Sequence, residues 1–183
     1  DLPDGLDAQY QQLAYYIARI GHRYLGNLPV RRIECSFYGS LQPFSKWFMS
    51  PIVAGISPES KAARGLAEDA ENHRREKGIS VEIREPDASK KYGNSITIDL
   101  FAGEGSSMQE VSIRGTIAEG LIMVSRINDF ERLYFEPKGN SLIAVYKDRP
   151  GVLAKITAAL AAAGINIEDI HAPHNLKGTK SLA

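Results

Sequence analysis

The 183 residues suffice for one domain or two small ones, and a 43% hydrophobic fraction excludes a disordered or fibrous chain. Lysine plus arginine (22) balance aspartate plus glutamate (22), which argues against an electrostatic grip on nucleic acid or anionic lipid, and no apolar run approaches the roughly 20 residues that cross a bilayer. A single cysteine, Cys35, excludes an intrachain disulfide and, with no basic and apolar leader, suits a reducing cytoplasmic compartment.

Leu6, Tyr10, Leu13, Ile17, Ile20 and Tyr24 recur at alternating four- and three-residue steps, which predicts an amphipathic helix over 6–25. Arg31 to Tyr38 alternates, with Ile33, Cys35 and Phe37 on one face, and reads as a half-buried strand closed by Gly39. Phe44, Trp47 and Phe48 share a face of a short helix that Ser50-Pro51 and Gly55 should interrupt. Ser57-Pro58-Glu59 predicts the start of a further helix, with Ser57 as cap, running to about Lys77 and ended by Gly78. Its thin, alanine-rich apolar face around Leu66 predicts a place on the surface of a sheet.

Four strand-like runs follow, at Ile79–Ile83, Ile96–Leu100, Val111–Ile117 and Leu121–Ile127, with a further short run through Leu133 and Phe135 after the turn Asn128-Asp129. The class is therefore α+β with a mostly antiparallel sheet and flanking helices, ending where Pro137 and Gly139 punctuate the chain. Beyond this point Leu142–Tyr146 reads as a strand, Val152–Ala163 as a helix with Gly164 as its cap, and Ile165-Asn166-Ile167 as a second strand. That βαβ unit leaves sheet edges unpaired and calls for further elements from longer sequence or from another chain. The absent initiator methionine and the final Lys-Gly-Thr stretch lead to the expectation that both ends are cuts in a longer polypeptide.

Candidate chemistry concentrates in the turn Tyr146 to Gly151 together with Asn166. Asp148 can cap the helix, Pro150 is tolerated in its first turn, and Gly151 permits close backbone approach. Amides at a helix start can receive a carboxylate, while Asp and Asn side chains can take an ammonium, a combination that suits a free amino acid. On the residues alone, a plain N-cap and a plain turn explain Asp148 and Asn166 as well. Arg114, Arg126 and Arg132 are candidates for an anion site, and each also reads as a solvated strand-face charge. His22, His73, His171 and His174 lack metal-site spacing, and no dinucleotide, phosphate-loop or nucleophile-elbow motif occurs.

The run Val145-Tyr146-Lys147-Asp148-Arg149-Pro150-Gly151-Val152-Leu153, with Ala163-Gly164-Ile165-Asn166-Ile167, closely resembles the opening half of an ACT domain, a ferredoxin-like module that binds amino acids across a dimer interface. Glu76-Lys77-Gly78-Ile79, Ser112-Ile113-Arg114-Gly115-Thr116 and Ile127-Asn128-Asp129-Phe130 fall in the order shown by the intervening domain of long-form D-3-phosphoglycerate dehydrogenases, and the chain resembles the C-terminal regulatory part of that family. The resemblance implies a helical connection over 1–29, an intervening regulatory domain over 30–138 and the N-terminal half of an ACT domain over 139–183. It implies L-serine or another small amino acid as effector at Tyr146, Asp148 and Asn166, with Arg149, Pro150 and Gly151 as supporting turn. It further implies a cytoplasmic homo-oligomer with no nucleic-acid or membrane partner, and an NAD-dependent parent oxidoreductase of serine biosynthesis whose cofactor and catalytic residues lie outside this chain, which itself holds no cofactor. Two alternatives stay open: the regulatory portion of an L-serine dehydratase, whose flavour Cys35-Ser36-Phe37-Tyr38-Gly39-Ser40 carries, and a non-enzymatic ACT-like oligomerisation module.

Overall fold

The computed structural model describes residues 2–64 and 66–183. Helix α1 (Ala8–Tyr24) begins at Asp7, whose carboxylate accepts the Gln9 amide at 2.8 Å and so satisfies one of the first-turn donors that helix geometry leaves over. Its apolar stripe buries Leu13, Ala14, Ile17 and Ala18 completely against a six-stranded sheet. The strands are β1 (Val30–Phe37), β2 (Ser80–Arg84), β3 (Ser95–Ala102), β4 (Gln109–Ala118), β5 (Leu121–Ile127) and β6 (Phe130–Phe135), in the spatial order β2-β1-β3-β4-β5-β6. Among the described residues only β1 and β2 pair in parallel, and the connection between them carries α2 and α3. The α+β class with a mostly antiparallel sheet is thus what the alternating runs specify.

Several local expectations are corrected. Strand β1 is covered on both faces rather than half-buried: Ile33, Cys35 and Phe37 sit in the core, while Glu34 and Ser36 are buried on the other side. Glu34 tolerates this position through ion pairs with Arg84 and with Arg32, the latter at 3.0 Å. Pro51 and Gly55 do not interrupt a helix. A 3-10 turn (Gly39–Phe48) runs on into α2 (Met49–Ile56), with Pro51 in its first turn, where a missing amide costs no hydrogen bond. Phe48, at the junction, stacks on Phe37 with ring centroids 4.8 Å apart.

The single helix expected over 57–77 is broken. Ser57 ends α2 instead of starting a helix, a 3-10 turn spans Lys61–Arg64, and α3 (Ala67–Glu76) starts after Leu66, which is extended; Gly65 lies outside the described residues. Ser57 is drawn away from capping because its hydroxyl pairs with His73, 2.7 Å away. Helix α3 packs on α2 and not on the sheet surface, through a small cluster of Val53, Ala62 and Ala70. Within the span 1–29, expected as a helical connection, α1 packs its apolar stripe into the core.

Close approach in these layers depends on two glycines. A Cβ on Gly55 would lie 2.6 Å from the Tyr15 carbonyl oxygen, and one on Gly115 would lie 2.5 Å from Leu13 Cδ1 and 3.1 Å from Ile17 Cγ2. Helix α1 is thereby pressed between the sheet and α2.

The C-terminal part departs most from expectation. Strand β7 is short (Val145–Lys147), α4 (Val152–Ala162) follows, and Ile165–Ile167 is not a strand. The partner of β7 is β8 (Lys180–Leu182), antiparallel, with Tyr146 opposite Ser181. This antiparallel pairing, closed around α4, satisfies backbone groups of both short strands. Leu182 enters the core, whereas α4 buries none of its side chains fully, and Val145, Ile165, Ile167 and Ile170 are exposed.

Two outcomes check this packing. Gly55→Ala should cost about 1–3 kcal/mol by overpacking, seen as a lower urea midpoint at unchanged slope. Cys35 is fully buried, and burial pushes its thiol pKa far up, so a thiol reagent should label it only at the rate of global unfolding.

Candidate functional site

The turn from β7 into α4 presents the residues singled out from sequence. Tyr146 is half-buried within the β7–β8 pair, and Asp148 leaves the strand with its amide donating to the Thr179 carbonyl at 3.2 Å. The Asp148 side chain does not cap α4. Gly151, with φ of +84°, occupies the cap position without any side-chain bond, and Pro150 precedes the helix. The first-turn amides of α4 therefore keep no capping acceptor and remain a binding point for a carboxylate.

Asp148 is committed elsewhere. Its Oδ1 accepts the Ser181 hydroxyl at 3.0 Å, and its Oδ2 lies 3.5 Å from His174 Nδ1, which is itself 3.1 Å from Ser181 Oγ. A carboxylate offers about four acceptor sites, so this half-exposed group retains capacity for an ammonium. Arg149 is exposed at the turn. Asn166 is exposed beyond the end of α4, and no hydrogen bond joins it to Tyr146 or Asp148. Within one chain the fold thus brings Tyr146, Asp148 and Gly151 together and leaves Asn166 apart.

Sequence reasoning missed Ser181, His174 and Asn175. The buried Asn175 side chain organises the return to β8: its Oδ1 accepts the amides of Thr179 (2.8 Å) and Lys180 (3.0 Å), and its Nδ2 donates to Asp129 Oδ2 (3.1 Å) in the turn between β5 and β6. The spacing of Asn175 from Gly178, which adopts φ of +65°, is the turn signal that could have disclosed this return.

A second polar locus lies on the sheet face away from α1. Arg114 and Arg126 are directly opposite across β4 and β5, beside a bulge at which Ser125 donates to the Arg114 carbonyl at 3.2 Å. Arg114 is buried, with its guanidinium 3.7 Å from the Tyr92 ring centroid. Arg126 donates to the Asn128 carbonyl and to Ser112 Oγ, both at 2.8 Å. Burial and then the neighbouring Arg114 charge push the Arg126 pKa below its ordinary value, against the opposing influence of Asp99, Tyr92 and Glu131. Like charges facing across strands repel, and the Asp99 carboxylate nearby offsets part of that repulsion. Arg132 does not join them: it is exposed on β6, has φ of +59°, and its side chain makes no hydrogen bond or ion pair among the described residues. The described residues contain no group of histidine, cysteine and carboxylate side chains able to hold a metal ion, and no helix long and apolar enough to cross a membrane.

With this geometry in hand, likeness to known proteins can be placed on it. Residues 141–172 match the ACT domain family, a span that includes Tyr146, Asp148, Gly151 and Asn166. Over 105 residues, 56% of the chain, the sequence is 31% identical to D-3-phosphoglycerate dehydrogenase of Mycobacterium leprae. It is 29% identical over the same length to the enzymes so named from Mycobacterium bovis and Mycobacterium tuberculosis. The chain spans 19% of the length of these relatives, so the similarity is to a part of each.

Asn175→Ala would remove the acceptor of the Thr179 and Lys180 amides, at about 0.5–1.5 kcal/mol for each hydrogen bond lost. Limited trypsin digestion should then cut at Lys177 and Lys180 at least several-fold faster, while cleavage within β3 and β4 stays slow.

Proposed function

We propose that this chain is a regulatory portion of a D-3-phosphoglycerate dehydrogenase and that residues 139–183 act as an ACT-type sensor of L-serine. Residues 30–138 serve in this reading as an intervening regulatory domain, with residues 1–29 supplying its central helix. The supporting observation is that the ACT match covers a turn whose chemistry suits an amino acid: uncapped amides at the start of α4 for the carboxylate and the Asp148 carboxylate for the ammonium. Catalysis and NAD binding belong to other parts of a cytoplasmic parent enzyme, whose activity serine would adjust by favouring one of two states.

Asn166 enters this reading through assembly. It stands exposed beside Ile165 and Ile167, in a segment that presents apolar side chains to solvent, and a second copy would bring an Asn166 to the first copy's turn. The unpaired edge of β7 offers the same copy a place to add backbone hydrogen bonds. Arg114 and Arg126 would form a second effector site for an anion, stacked under Tyr92, and Arg132 takes no part. The similarity to dehydrogenases over more than half of the chain favours this parent over an L-serine dehydratase.

Titration calorimetry with L-serine should show saturable heat, accompanied by a concentration-dependent rise in sedimentation coefficient. Asp148→Ala should weaken binding about tenfold or more, as expected for loss of a charge-assisted hydrogen bond. No heat at millimolar serine with the copies associated would remove the sensor reading and leave a pure assembly module.

A further inference from the structure

On the helical side of the molecule, across the sheet from Arg114 and Arg126, α1, the end of α2 and α3 line an open cleft of about 440 Å³. Its lining is cationic. Arg19, His22 and Arg23 project from one face of α1 at the three- and four-residue spacing that makes helix neighbours, and His73 faces them from α3. Ser57 and Ser60 add hydroxyls from the segment that leaves α2. Glu59, the acidic residue of the lining, is exposed.

One basic group is held without a partner, and a second keeps one ring nitrogen unsatisfied. Arg19 makes no hydrogen bond or ion pair with any described residue, and its Nη1 is buried. His22 is 9% exposed, and its Nδ1 is buried without a hydrogen bond. Burial, opposed by the carbonyls of Leu28 and Asn27 and reinforced by the charges of Arg19 and Arg23, lowers the pKa of the ring. Buried donors in folded proteins are satisfied as a rule, and an unpaired guanidinium is among the costliest exceptions. His73 is already oriented, its Nε2 held 2.7 Å from Ser57 Oγ.

We propose that this cleft is a binding site for a small metabolite carrying an oxyanion, a phosphate or carboxylate group, held by Arg19 and His22 with Arg23 and His73 at its flanks. The volume exceeds that of a bare ion and falls in the range of small-molecule pockets. Arg19 offers the forked donor geometry that oxyanions fit. The site is independent of the serine reading, since it shares no residue with the β7–α4 turn.

The imidazole resonances of His22 and His73 in the intact chain report binding directly. Inorganic phosphate and acetate are titrated separately, with sodium chloride holding the ionic strength constant. Both rings should shift saturably with at least one anion, and which anion acts tells phosphate from carboxylate recognition. Arg19→Met should fold, since it keeps an unbranched stem and removes a guanidinium nitrogen buried without a partner, and should weaken the effect about tenfold or more; Lys138→Gln, exposed beyond β6, should leave it intact. If Arg19→Met does not fold, His73→Gln should produce the weakening in its place. Rings that stay unmoved by both anions, or shifts that survive Arg19→Met undiminished, would overturn the proposal.

Discussion

The structure depends on how closely α1 can approach what lies on either side of it. A helix packed at ordinary distance would leave a gap above β4, and the absent Cβ of Gly115 lets Leu13 and Ile17 sink onto the sheet. On its outer side Gly55 allows α2 to lie against the backbone of Tyr15 and Arg19. This double approach excludes water from the fully buried Ile33, Ile96, Ile98 and Leu100 and places the outward residues of α1 against the segment after α2. The cationic cleft is a by-product of that geometry: the constraint that builds the core also brings Arg19 and His22 under Ser57 and His73.

A difference in packing divides the chain along its length. The first six strands and α1 share one continuous core, whereas the β7–α4–β8 segment touches it mainly through Leu182, Ile143 and the Asn175–Asp129 bond. Helix α4 has only half-buried apolar positions, such as Leu153, Ile156 and Leu160. Segments with few buried contacts open at low free-energy cost, and ligand-responsive elements are drawn from that class. The Asp148–Ser181–His174 contacts hold the turn of this loosely packed segment in a defined geometry.

Much of the fold was legible because its periods are unambiguous. The alternation through Ile96–Leu100 and Val111–Ile117 marks strands, and the stripe from Leu6 to Tyr24 marks α1 within two residues at each end. Legibility failed where long-range pairing overrode local preference. Ser57 has the chemistry of a helix cap but its hydroxyl faces His73, and Asp148 has it too but its carboxylate holds Ser181, a residue 33 positions away. Strand β8 is three residues long and has no period to detect. In the β7–α4 turn, Tyr146, Asp148 and Gly151 could be read from the chain. Their links to His174 and Ser181, and the clustering of Arg19 with His73, arise only from tertiary folding.

The central claim is that a firmly packed sheet carries a loosely packed terminal segment whose turn responds to an amino acid. Amide hydrogen exchange with and without L-serine tests it most directly. The account predicts that serine slows exchange in residues 145–154 and around Asn166 while β3 and β4 exchange at unchanged, already slow rates. Exchange at 145–154 that is unaffected by serine, or is as slow without it as in β3 and β4, would contradict the account.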